Sequence, residues 1–296
     1  MPDSLLSVEA AGLRLLVCSA GELSREAAAR HRLSPGSAGA LAQGLTGALL
    51  LAAHHQARVD VQLECNGPLR GLLVDADEGG TVRGLVRVNA LEGAAREAER
   101  GRFDARPVLA SPHDERAGML SVLRAPAGGR GAHRAAFPFA GADLGAALTL
   151  YLRGESDRGG ELALEALVSA GEPVAAAAGV LVAPLDDSAA EKARALGKPL
   201  RQGGLLAALL QADQAGGLAG ELCRAFALGP PRIVHELHPR FACRCSRERV
   251  ERALRSLGRE ELRDMAARDK GASLTCDFCN AAYGFTAGDL LLLAQG

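Results

Sequence analysis

Apolar side chains in "AGALAQGLTGALLLAAHHQ", residues 38–56, recur at helical spacing and predict a buried helix. The pattern then switches to alternation. "ARVDVQLECNGPLRGLLVDADEGGTVRGLVRVNA" alternates around turn signals, "NGP" at 66–68 and "DEGG" at 77–80, and predicts strands joined by hairpins. "ARPVLASP", "AGMLSVLRAP" and "HRAAFPFAG" extend the strand pattern to about residue 140. "DLGAALTLYLRGES" at 143–156 returns to helical spacing, with Asp143 as its N-cap, and "ELALEALVSAG" and "AAGVLVAPL" read as further strands. Strand blocks interrupted by segregated helices predict an α+β domain over residues 1–185.

After "VAPLDDS" the pattern becomes helical, first in "SAAEKARALG" and then in "LRQGGLLAALLQADQAGGLAGELCRAFAL". The second run is apolar enough to bury but carries Gly203, Gly204, Gly216, Gly217 and Gly220. Each interior glycine costs about 1 kcal/mol against alanine, so this segment holds its shape only while docked. Residues 186–236 are therefore expected to form a metastable helical linker, with "GPP" at 229–231 ending its helices. A small third region, 237–296, follows.

Bulk composition narrows the function classes. Of 296 residues, 34 are basic and 35 acidic, a balance that argues against a dedicated phosphate-backbone binder. Aromatic residues make up 3%, without tryptophan, so base-stacking platforms are not expected either. The N-terminus lacks a basic leader ahead of an uninterrupted apolar core, and no stretch reads as a membrane span. A cytoplasmic protein with no membrane partner is expected. In that compartment clustered cysteines signify metal or redox chemistry.

Four of the seven cysteines lie in the last region, in "FACRCSRERV" (241–250) and "LTCDFCNAAYGF" (274–285). Cys243, Cys245, Cys276 and Cys279 form C-x-C, thirty intervening residues and C-x-x-C, the soft four-sulfur donor set that Zn²⁺ favours. The helices between, in "SRERVERALRSLGREELRDMAARDKG", are too small to sustain a core, so one zinc per chain is expected to fold this module. Thiolates are what oxidants attack, and Arg244, Arg247 and Arg249 lie close in sequence to offset their charge. A bridge across one residue would be strained and easily reduced. Spacing alone leaves a redox switch and a purely structural zinc both open. A zinc-ribbon adaptor for nucleic acid or protein, and a thiol–disulfide oxidoreductase built on Cys276 and Cys279, are the rival readings.

The segment "CRCSRERVERALRSLGREEL…LTCDFCNAAYGFTAGDL" resembles the C-terminal module of the bacterial thirty-three-kilodalton chaperonin family, the redox-regulated heat-shock holdases. Upstream, "VQLECNGPLRGLLVDADEGGTVRGLVRV" is similar to that family's strand–GPL–strand–VRG core, and "DLGAALTLYLRGES" to its helix ending in an acidic residue and serine. Asn280 stands where the family commonly has glycine, and "AAAAGVLVAPL" lacks its paired glycines. The resemblance implies a non-enzymatic, ATP-independent chaperone, zinc-bound and quiet when reduced. It further implies that oxidant and unfolding stress form disulfides Cys243–Cys245 and Cys276–Cys279, expel zinc and unfold the C-terminal region. Unfolding client proteins would then be captured, typically by a homodimer.

Other conspicuous residues receive structural readings. Cys18, Cys65 and Cys223 lie in apolar stretches as small buried hydrophobes. His235 and His238 precede the C-x-C, but four thiolates already complete a tetrahedron. His54 and His55 are expected at a solvated helix end, and "GGRGAHR" at 128–134 at a hairpin tip.

Overall fold

A computed structural model describes residues 2–92, 95–96, 101–110, 118–126, 131–140, 143–155, 159–212 and 217–295. The chain divides into two compact units, Met1–Phe241 and Ala242–Gly296, and is mixed α+β.

In the first unit the elements run β1 (Ser4–Ala10), β2 (Leu13–Ser19), α1 (Gly21–His31), α2 (Pro35–His55), β3 (Ala57–Cys65), β4 (Gly71–Ala76) and β5 (Thr81–Val86). They continue through β6 (Ala95–Arg96), β7 (Arg102–Phe103), α3 (Arg106–Leu109), β8 (Gly118–Pro126), β9 (His133–Phe139) and α4 (Leu144–Glu155). Then come β10 (Glu161–Leu167), β11 (Ala176–Pro184), α5 (Ala190–Pro199), α6 (Leu205–Gln211), α7 (Gly217–Ala225), β12 (Arg232–Leu237) and β13 (Arg240–Phe241). Seven strands form one sheet in the order β12-β1-β2-β11-β10-β7-β6, and six form another in the order β13-β5-β4-β3-β8-β9.

Helix α2 packs against strands of both sheets and buries nearly its whole surface. An amphipathic pattern would be wrong there, and its apolar residues accordingly run all round. Its length and hydropathy suffice to cross a membrane, contrary to the expectation that no stretch approaches a span, but 94% of that apolar window is buried inside the protein. Glycines let the sheets close on it: a Cβ on Gly179 of β11 would meet Leu50 and Thr46 of α2 at 2.8 Å.

The opposite face of the seven-stranded sheet is apolar as well. Leu15 and Val17 of β2 and Val180 and Val182 of β11 share a core with Leu205, Leu209 and Leu222 from α6 and α7. That packing explains how a glycine-rich segment stays helical, since tertiary burial supplies what intrinsic propensity lacks. Between α5 and α6 the chain makes a π-helical turn, Leu200–Gly204, in which Gly203 sits at φ 114, a backbone conformation disfavoured for L side chains.

Several expectations change. The "ARPVLASP" segment holds the short helix α3 rather than a strand, because Pro107 favours the first helical turn and Asp104 accepts from the Arg106 N–H. Beyond the "GPP" that ends the helices, the expected linker 186–236 runs into strand β12, which pairs antiparallel with β1 and places Arg232 beside Glu9. Residues 128–130 of the proposed hairpin tip, between β8 and β9, lie outside the described residues. Cys18, Cys65 and Cys223 are buried.

His54 and His55 do not end α2 in solvent. Arg124 of β8 donates to His55 Nδ1 at 3.2 Å, which leaves the proton on Nε2 to face the Tyr151 hydroxyl of α4 at 3.1 Å. His54 Nδ1 is buried without a hydrogen-bond partner. Burial, reinforced by Arg14 and Arg124, lowers the His54 pKa to about 4; burial, His54 and Arg124 lower that of His55 to about 3. Both rings are neutral in the fold, whereas in the unfolded chain each protonates below about pH 6.5. Unfolding thus takes up protons across that window, and stability falls as pH drops from about 6.5 toward 4, on the order of 1–2 kcal/mol per histidine near pH 5. Urea midpoints of the first unit are expected to decline on acidification to pH ~5, and the double variant His54→Gln/His55→Gln to flatten that decline. An unchanged slope in the variant would place the acid sensitivity elsewhere.

Candidate metal centre

The second unit contains α8 (Arg247–Arg255), α9 (Arg259–Arg268), the hairpin β14 (Gly271–Thr275) and β15 (Ala282–Thr286), and α10 (Ala287–Leu293). Its buried apolar cluster is small: Leu254, Leu262, Phe285, Leu290 and Leu293 with two alanines. A core of that size cannot hold a fold without a further constraint.

Local capping aims the sulfurs. Ser246 caps α8 by accepting from the Arg249 N–H, so the C-x-C pair sits immediately before a helix whose start is fixed. Arg249 Nη1 donates to the Arg244 carbonyl at 3.0 Å and ties down the residue between the two cysteines. The C-x-x-C pair forms the loop of the β14–β15 hairpin. There the Cys276 carbonyl accepts from the N–H groups of Cys279 and Asn280 at 3.3 and 2.8 Å, and the Cys276 N–H donates to the Ala281 carbonyl. This turn requires Asn280 at φ 59, which explains why glycine suits the position and why asparagine, tolerant of the left-handed region, can replace it.

Cys243, Cys245, Cys276 and Cys279 bring their sulfurs within 4.8 Å of one another. Cys243 and Cys276 Sγ stand 3.7 Å apart, and Cys245 and Cys279 Sγ 3.3 Å. The edge of a regular tetrahedron with Zn–S bonds of about 2.3 Å is about 3.8 Å, so the donor set matches a soft tetrahedral cation in number, element and spacing. Neither His235 nor His238 belongs to the cluster.

Electrostatics point the same way. Burial pushes the Cys276 and Cys279 thiols above the usual range, and the neighbouring sulfurs push Cys279 further. Those two thiols stay protonated at neutral pH unless a cation compensates them, so metal binding there must displace protons. Tyr283 of β15 donates its hydroxyl to Cys245 Sγ at 3.0 Å, and that bond leads the causes raising its own pKa to about 12.

Two of the arginines expected to offset sulfur charge, Arg247 and Arg249, contact the scaffold. Arg247 lies over the Phe285 ring at 4.3 Å, donates to the Gly284 carbonyl and pairs with Glu251 and Asp289. Asp289 also completes a capping box with Thr286 at the start of α10. Tyr283 was visible in the sequence only as part of a family motif, because spacing does not reveal a hydroxyl aimed at a sulfur.

Comparisons with known proteins agree with this geometry. The profile of the Hsp33 protein family matches residues 5–286. The 33 kDa chaperonin of Pelobacter propionicus is 33% identical over 297 residues, covering 96% of this chain and 90% of its own length. The 33 kDa chaperonin of Synechocystis sp. is also 33% identical, covering 96% of this chain and 93% of the relative. The crystal structure of a 33 kDa chaperonin from Thermotoga maritima superposes with a TM-score of 0.74 at 22% identity, over 99% of this chain and 97% of that one, and so shares the fold. With a profile and full-length relatives converging on one lineage, this chain belongs to the Hsp33 family.

Proposed function

We propose that the chain is a redox-regulated, ATP-independent holdase, non-enzymatic and cytoplasmic, quiet when reduced and zinc-loaded, and active after oxidation. The observation that carries this reading is the four-sulfur cluster in a unit whose own core is minimal. Membership in a family whose members include the 33 kDa chaperonins named above supports it.

When bound, a zinc ion would supply the charge that keeps four sulfurs deprotonated and tied together. The chain's part is to present them: α8's cap holds Cys243 and Cys245, and the hairpin turn holds Cys276 and Cys279. A thiolate attacks the peroxide oxygen, giving a sulfenic acid and hydroxide; the neighbouring thiolate then attacks that sulfur and expels a second hydroxide. Closing Cys243–Cys245 and Cys276–Cys279 in this way reduces two peroxides and leaves no thiolate donors for a metal. The second unit then loses the constraint its core cannot replace. In this reading residues 186–236 form the conformational linker, and their departure bares the apolar sheet face that α5 to α7 cover. Unfolding client proteins bind there, with a homodimer as the active form.

Peroxide at elevated temperature is expected to switch on suppression of thermal aggregation of a client enzyme, and dithiothreitol plus zinc to switch it off. Equal suppression by reduced, zinc-loaded protein would reject the regulation, and retention of RNA in a salt-dependent manner would favour the adaptor reading. Chelation of the reduced protein should abolish the helical signal of residues 247–293, read by hydrogen exchange. Removing one donor to sulfur should raise its nucleophilicity, so Tyr283→Phe is expected to accelerate peroxide-driven thiol loss severalfold at unchanged zinc content. An unaltered rate would make the tyrosine a packing residue.

A further inference from the structure

Glu161 opens strand β10 as an almost fully buried carboxylate, its side chain 1% exposed. Two arginines converge on it. Arg153 of α4 approaches from the side, its Nε donating to Oε1 at 3.1 Å. Arg201, in the π-helical turn between α5 and α6, donates through Nη1 to Glu161 Oε2 at 3.1 Å. The same Nη1 lies 3.2 Å from the Leu162 carbonyl and from Thr149 Oγ1 of α4. The backbone of that turn is gripped as well: Arg102 of β7, paired with the buried Glu165 of β10, donates to the Arg201 carbonyl at 3.1 Å. Gly197 completes the fit, because a Cβ there would lie 1.7 Å from Glu161 Oε2.

These contacts sit beside the apolar layer through which α5 to α7 cover the sheet. Apolar packing is non-directional and tolerates sliding. A charge pair is different: partial withdrawal leaves a buried carboxylate short of a partner, so the pair is either made or broken. Arg201 is the ion-pairing member that belongs to the covering segment, whereas Glu161 belongs to a strand it covers and Arg153, Thr149 and Arg102 to α4 and β7, outside that segment. All of these residues lie in the first unit.

We propose that Arg201 and Glu161 form an ionic latch that pins the covering segment to strand β10 and must open, separately from any chemistry at the sulfurs, before that segment can leave the sheet. The proposal rests on the holdase reading only for the consequence of release; the latch itself is a property of the first unit. It makes Arg201 a positioning residue that sets how much unfolding stress the segment withstands.

Hydrogen exchange of the reduced, zinc-loaded full chain tests it. Arg201→Met is expected to speed exchange in residues 190–212 by roughly tenfold or more, while β3, β11 and residues 247–293 keep their protection and zinc stays at one per chain. Arg201→Lys, which keeps the charge but loses the planar fork, should fall between. Replacing both partners, Glu161→Met/Arg201→Met, should return exchange toward the parent, since the buried charge then goes with its partner. Unchanged exchange in Arg201→Met, or equal acceleration in β3 and β11, would overturn the latch, the latter by showing global destabilisation. Aggregation suppression by the same variants after peroxide treatment separates the two readings: a segment that exchanges rapidly in an oxidised protein that still captures no client upholds the latch and counts against the holdase.

Discussion

A sheet that is apolar on both faces has to be covered twice. Every residue of β10 is buried, as are all but the ends of β11, so at these central strands neither face of the seven-stranded sheet meets water. One cover is α2, held between two sheets with nowhere to go. The other is a chain of short helices interrupted by glycines and a π-helical turn, with little helicity of its own. The two covers therefore differ in how firmly they are built: one is a long helix enclosed by two sheets, the other depends on docking to stay helical.

Much of this was legible because it is local. Alternation around "NGP" and "DEGG" predicts β3, β4 and β5, and Asp77 seals the second turn by accepting from the Gly79 and Thr81 N–H groups. The apolar run of α2 and the Asp143 cap of α4 are likewise properties of a few adjacent residues. The four cysteines announced themselves for the same reason, since metal geometry imposes close spacing within each pair. What stayed hidden depends on partners distant in sequence. Strand β12 was not foreseen within the linker because its exposed, mixed composition takes its shape from pairing with β1. His55 looked solvent-facing until Arg124 and Tyr151 closed over it.

The buried ion pairs show that limit most clearly. Glu161 in "ELALEAL" and Arg201 in "LRQGG" carry no motif, and neither is remarkable at its own position. Only the fold brings a carboxylate from a central strand under a guanidinium from the covering segment. Burying such a pair adds little net stability compared with an apolar replacement of the same volume, so stability is a poor reason for its presence. Specifying where the cover sits, and making its departure all-or-none, is a better one.

Two kinds of bond therefore hold the two units, and they respond to different insults. Sulfur donors are lost to oxidants, which leave carboxylate–guanidinium pairs untouched. The ionic contacts of the first unit yield to temperature and unfolding forces, which do not oxidise thiols. A protein that relied on sulfur alone would expose sticky surface whenever its thiols were oxidised, clients or not. One that relied on packing alone would respond to heat in any redox state. On the proposed reading, soft donors in a unit with a minimal core, and a charged clasp under a glycine-rich cover, would make release conditional on both. On that reading, the condition would follow from where the chain places its buried charges and its clustered sulfurs.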